Sequence, residues 1–176
     1  MTYRNDLCEV AAMNHGVVIL PHAEDAGVPA VEVRKLAGRG ALEGYGNGVY
    51  RHLTIPPGRL TQAALAAALC GEGAFLHAVF VVHLHQLGNL NPRRIRVSTT
   101  KRVRRTLPDW LWLTVDKDQA PEDVTSYEGK PSQTLNAALR AVRDRIEPTH
   151  LRHIIQQAVN RELISDGSEL IAGKDS

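Results

Sequence analysis

Two groups of basic side chains in this 176-residue chain are spaced to bind phosphate. Arg34, Lys35 and Arg39 cluster in one short stretch, with Arg51 following after a glycine-rich turn. Arg93, Arg94, Arg96, Lys101, Arg102, Arg104 and Arg105 fill a run from Pro92 to Arg105 that holds seven basic residues and no acid. Cations at that density attract polyanions by counterion release, largely without sequence preference. The bland alternative is a solvated rim that aids solubility. Other chemistries are less well supplied. His77, His83 and His85 invite a metal, but no carboxylate motif accompanies them, and packed or hydrogen-bonded histidines are the simpler expectation. Asp109, Asp116 and Asp118 could be metal carboxylates of a nuclease, yet acidic residues at a strand end are commonplace. No G-x-G-x-x-G loop, no G-x-x-x-x-G-K-[ST] loop and no H-R-D phrase occurs. The expectation is no catalytic residue, no metal and no cofactor.

The elements that must position the first basic group are signalled locally. Tyr3 to Met13 carries Leu7, Val10 and Ala11 at helical spacing. Gly16 to Leu20 reads as a strand, with Pro21 expected to end any regular element. Ala23 to Ala26 reads as a short helix stopped by Gly27. Val28-Pro29 restarts the chain, and Pro29 to Gly38 places Val33 and Leu36 on one face while Glu32, Arg34 and Lys35 fall on others. Leu42-Glu43-Gly44 and Gly48 to Arg51 flank Tyr45-Gly46-Asn47, a tip suited to a tight hairpin. Two helices joined by a glycine turn and followed by a hairpin are the order of a winged helix-turn-helix, whose second helix reads a groove.

The succession Gly16-Val17-Val18, Ala26-Gly27-Val28, Val33 to Glu43 and Gly48 to Arg51 resembles the N-terminal winged helix of AbiEi-family antitoxins. The resemblance runs in element order over roughly residues 10–164. It implies a DNA-binding antitoxin that represses its own promoter and counters a nucleotidyltransferase-like toxin of the AbiEii type. The alternatives are a winged-helix regulator with no toxin partner and a kinase-like enzyme that modifies its toxin. The family often carries more arginines around the reader and wing, and the tip here has no basic residue.

The domain expectation is α+β: a winged helix-turn-helix over 1–56, a small mixed α/β domain over 59–164 and a flexible tail over 165–176. Pro56-Pro57-Gly58 marks the boundary. Leu60 to Leu69 is alanine-rich and helical by propensity, and His77 to Leu87 reads as a buried helix. Arg94 to Thr99 and Trp110 to Val115 alternate as half-buried strands, with Ile95, Val97, Leu111, Leu113 and Val115 inward. Val124 to Tyr127 is a third candidate. The phrase Tyr127 to Thr134 matches the strand, glycine, proline, threonine order of the family, with Ser132 as a helix N-cap. Pro148 starts a final helix, Thr149 to Leu163.

Composition is ordinary for a globular chain, 43% hydrophobic and 23% charged with a net charge of +2. Charge is segregated: residues 1–60 hold six bases and six acids, while from Leu107 onward twelve acids face eight bases. Cys8 and Cys70 make no metal-type pair, so reduced thiols in a cytoplasmic protein are expected. No cleavable signal is evident, and Ala74 to Leu87 is too short to span a bilayer.

Overall fold

The computed structural model describes residues 2–172, and the chain divides into two units. Unit 1 is Met1–Glu72 with Val103–Leu107, and unit 2 is Gly73–Arg102 with Pro108–Ser176. The fold is α+β, with eight α-helices and two sheets among the described residues.

In unit 1, α1 (Tyr3–Met13) buries Leu7 and Ala11. The chain then runs through β1 (Val17–Ile19) straight into α2 (Leu20–Asp25). Pro21 therefore does not end an element as expected; it sits in the first turn of α2, where its missing N–H removes no helical bond. After a turn at Gly27, the Pro29 N-cap opens α3 (Ala30–Gly38). The hairpin β2 (Leu42–Gly46) and β3 (Val49–His52) follows, and the antiparallel sheet has the order β1-β3-β2. Leu7, Ala11, Val18, Ala23, Val28, Val33 and Leu42 form the core, with Leu20, Leu36, Tyr50 and Ile55 packed against it.

Unit 1 does not stop at Pro56-Pro57. The alanine-rich helix α4 (Thr61–Cys70) belongs to it, so the boundary falls at 72/73. The Thr61 hydroxyl accepts from Gly58 N–H at 2.8 Å and donates to the His15 carbonyl at 2.9 Å, tying α4 back to the chain before β1. Paired prolines interrupt secondary structure there without separating two cores.

Unit 2 is built on a five-stranded sheet of order β6-β5-β4-β8-β7. Its strands are β4 (Ala74–Leu76), β5 (Ile95–Thr99), β6 (Leu111–Val115), β7 (Val124–Tyr127) and β8 (Lys130–Gln133). β5 runs parallel to β6 and antiparallel to β4; β8 is parallel to β4 and forms a hairpin with β7. The helix expected over His77 to Leu87 is shorter: β4 ends just before it, the chain turns a strained corner at Ala78 (φ 52°), and only α5 (Val79–Leu84) is helical. Ser132 is not an N-cap. It lies in β8 with its hydroxyl bonded to the Gln133 carbonyl, and Thr134 caps α6 (Leu135–Val142) by accepting from Ala137 N–H.

Glu147 caps α7 (Pro148–Asn160), accepting from the N–H groups of Thr149 and His150, each at 2.9 Å. Those two bonds hold its carboxyl below the ordinary glutamate range. Gly88 lies at φ +65° against Ile154, with no room for a side chain, and exchanges bonds with Gln157 and His150 of α7. The expected tail is partly ordered: α8 (Ser168–Ala172) buries Leu170, and Asp166 caps it at Ser168. The remainder of that tail, 173–176, lies outside the described residues. No helix among the described residues is long and apolar enough to cross a membrane.

Candidate nucleic-acid interface

Burial of Val33, and partly of Leu36 and Ala37, fixes which side of α3 faces outward. That side presents Val31, 52% exposed, together with Arg34, Lys35 and, at the end of the helix, Arg39. Lys35 is not a free cation: its Nζ lies 2.7 Å from Glu32 Oε1. Arg34 and Arg39 have no carboxylate partner among the described residues.

The hairpin beside α3 turns through Asn47 (φ 53°) and Gly48 (φ 74°), the paired positive torsions of a two-residue turn. Gly48 also admits no side chain easily, since a Cβ would sit 3.0 Å from Leu20. Arg51 on β3 is paired, its Nε 3.1 Å from Glu43 Oε2, and the Tyr45 hydroxyl donates to the same oxygen at 3.0 Å. Burial, and then the Glu43 bond, push the Tyr45 hydroxyl above its ordinary range. Of the four basic residues expected in this region, two are thus neutralised by acids on the same surface.

The basic run of residues 93–105 is split between the units. Arg93, Arg94, Arg96, Lys101 and Arg102 belong to unit 2, and Arg104 and Arg105 to unit 1. Arg105 is occupied within the fold. Its guanidinium donates to the Leu69 carbonyl at 3.2 Å, at the C-terminal end of α4, where a cation meets unsatisfied carbonyls. Beside it, burial pushes the Cys70 thiol up to about 11, against the opposing pull of Arg105. Arg93, Lys101, Arg102 and Arg104 are exposed.

Arg94 and Arg96 are ordered by an aromatic ring that the basic pattern did not include. Arg96 pairs directly with Trp112 across the parallel β5–β6 ladder, so the two side chains share a face. Arg94, two residues earlier, projects to the same side. Their guanidinium carbons lie 5.4 Å and 5.6 Å from the Trp112 ring centroid, within cation–π range, and Trp112 stays 46% exposed. His77, just past β4, donates its N–H to the Arg96 carbonyl at 3.0 Å. Burial, and then the Arg96 charge, hold its imidazole below the ordinary histidine range, with Asp116 pulling the other way. Burial, and then the Arg145 charge, lower Arg96, and the Arg145 charge acts on His77 as well. Ser98, which alternation along β5 puts on the outer side with Arg94 and Arg96, is buried and bonds to the Thr114 carbonyl.

The chain is similar in structure to the RV2827C protein from Mycobacterium tuberculosis. That solved structure matches it with a TM-score of 0.47 and 18% identity, over 97% of this chain and 70% of that one. No protein-family model matches the sequence, and no curated protein matches it.

The remaining candidates have separate local employments. His83 Nδ1 lies 2.6 Å from the Leu90 carbonyl, and His85 packs on Tyr127 with ring centroids 4.7 Å apart. Asp116 accepts from Asp118 N–H at 3.0 Å, as acidic turn residues do. Among the described residues no three histidine, cysteine or carboxylate side chains stand together as a metal site. A cavity of about 380 Å³ is lined by His83, Gln86, Leu87, Asn89, Leu90 and Asn91.

Proposed function

We propose that unit 1 is a winged helix-turn-helix that binds duplex DNA at the chain's own promoter. The observation that carries this reading is the order α1-β1-α2-α3-β2-β3, closed into an antiparallel sheet of order β1-β3-β2. In such a module the second helix of the pair enters the major groove and the hairpin meets the backbone. Here that helix is α3, with Arg34 and Arg39 as its unpaired cations and Lys35 held by Glu32. The tip of the hairpin, Asn47-Gly48, is uncharged, so the hairpin contributes shape more than phosphate contacts.

The resemblance to AbiEi antitoxins extends the reading to a cytoplasmic autorepressor that counters a nucleotidyltransferase-like toxin. Two measurements test the two halves separately. A gel shift on the upstream promoter tests DNA binding: an Arg34→Ala, Lys35→Ala, Arg39→Ala variant that shifts as well as wild type overturns it. Co-expression with the adjacent gene tests the antitoxin role, and loss of growth rescue by the full chain would leave a regulator without a toxin partner.

A further inference from the structure

The Arg94–Trp112–Arg96 group is an unusual arrangement for a surface that serves only solubility. Two guanidinium groups crowd one ring, and Arg145 adds a third positive charge whose effect reaches Arg96. None of the three is ion-paired with a carboxylate among the described residues. In unit 1, by contrast, Lys35 and Arg51 carry acids of their own. Next to this charge His77 Nδ1 is buried with no hydrogen-bond partner among the described residues, and Asp116 is the acid that acts on His77. Like charges held together without counter-charge favour an anion.

The ring narrows the anion's identity. Trp112 is on an edge strand, and nearly half of its surface is open. A bare phosphate or an acidic peptide makes no use of an exposed indole. An unpaired base does, because every base has a face that stacks, while the guanidinium groups alongside take the phosphates. A base pair in duplex DNA has its faces covered by its neighbours and cannot stack in this way. We propose that the Arg94–Trp112–Arg96 face of unit 2 binds single-stranded nucleic acid, with one base stacked on Trp112 and the flanking phosphates held by Arg94 and Arg96. The site lies wholly in unit 2 and does not depend on the duplex-binding reading of unit 1.

The test uses the full chain and a labelled, mixed-sequence DNA single strand, with fluorescence anisotropy as the readout. Trp112→Ala should weaken the strand by on the order of tenfold, the worth of one stacked base, while Trp112→Phe keeps most of the affinity. Because the ring is exposed, both variants should melt with wild type. Arg94→Gln with Arg96→Gln should flatten the slope of log affinity against log salt by up to about 0.7 for each phosphate no longer held. Arg34→Gln with Arg39→Gln should leave strand binding intact.

Inorganic polyphosphate and oligoglutamate should compete only weakly with the strand. Equal competition by polyphosphate would make the site a phosphate trap, and equal competition by oligoglutamate would make it a dock for acidic protein. Either result overturns the proposal. So does wild-type strand affinity in Trp112→Ala, or loss of strand binding in the Arg34→Gln, Arg39→Gln variant, which would place the strand on unit 1.

Discussion

Both units carry basic side chains beside a β-sheet, but they handle the charge in opposite ways. In unit 1, Glu32 takes Lys35 and Glu43 takes Arg51, leaving Arg34 and Arg39 as unpaired candidates. In unit 2, Arg94 and Arg96 have a tryptophan in place of an acid. A surface with half of its cations neutralised attracts phosphate less strongly, and what it does bind is decided by the few groups left free and by shape. A surface whose cations are uncompensated grips phosphate broadly. The difference fits a reading face in unit 1 and a holding face in unit 2.

On the proposed reading, the largest expected effect comes from removing the charge of α3. Arg34→Ala, Lys35→Ala and Arg39→Ala together should cost about 1–3 kcal/mol for each base no longer read and relax sequence preference at the promoter. Replacing Arg94 and Arg96 with glutamine should lower promoter and random-duplex affinity, where both are measurable, by the same factor. If the second variant changes sequence preference, the division between reading and holding is wrong.

Next in size is the wing. Gly48→Ala forces a positive φ and crowds Leu20, so it should destabilise unit 1 by about 1–2 kcal/mol. Hydrogen exchange of β2 and β3 amides should report the loss, while the β5–β6 amides keep their protection. A smaller change runs in the other direction. Glu43→Gln frees Arg51, and its exposed ion pair is worth about 0.2–1 kcal/mol at most. Duplex affinity should rise modestly, with the salt slope steepening by up to about 0.9 if Arg51 reaches a phosphate. No change in slope would mean that Glu43 positions the wing without tuning its charge.

The smallest effect is in pH. Each unit has one histidine whose imidazole burial holds below the ordinary value of 6.5, His52 in unit 1 and His77 in unit 2. Below that value the unfolded chain binds these protons more readily than the folded one. Stability is therefore complete above pH 6.5 and declines as pH falls through the depressed range. Denaturant midpoints measured from about pH 7 downward should fall, and His77→Gln should reduce the decline in unit 2.

Unit 1 was legible because its signals are local: Gly27 between two helices, an apolar face at Val33 and Leu36, and a Gly/Asn-rich tip between two strands, expected at Tyr45-Gly46-Asn47 and found at Asn47-Gly48. Unit 2 was legible only in pieces. Ala74–Leu76 is a short, wholly buried run, and beside Val79–Leu84 it has no period that separates strand from helix. β8 carries Pro131, which gives no N–H to a ladder, and it meets β4 at a single pair, Leu76 with Ser132, so little pairing is lost there and little strand signal stands in the sequence. Alternation placed Trp112 outward, but its partnership with Arg94 and Arg96 depends on β5 lying beside β6. That parallel pairing of separated segments leaves no local mark. The charge pattern located the basic run and missed its aromatic centre for that reason. It also counted Arg105, whose bond to the end of α4 is invisible without the fold.

The return of Val103–Leu107 to unit 1 has a consequence for how the chain is made. Synthesis proceeds from the N-terminus, so the ribosome completes α1 through α4 well before the segment that carries Arg105 emerges. By then β4, α5 and β5 of unit 2 have already been made. Neither unit is a contiguous stretch of gene, and a break between them cannot be placed in one position. A fragment ending at Glu72 lacks the side chain that closes α4, and one starting at Arg59 takes α4 away from its sheet. Recombination that exchanged the reader for another would have to bring along five residues from the middle of its neighbour.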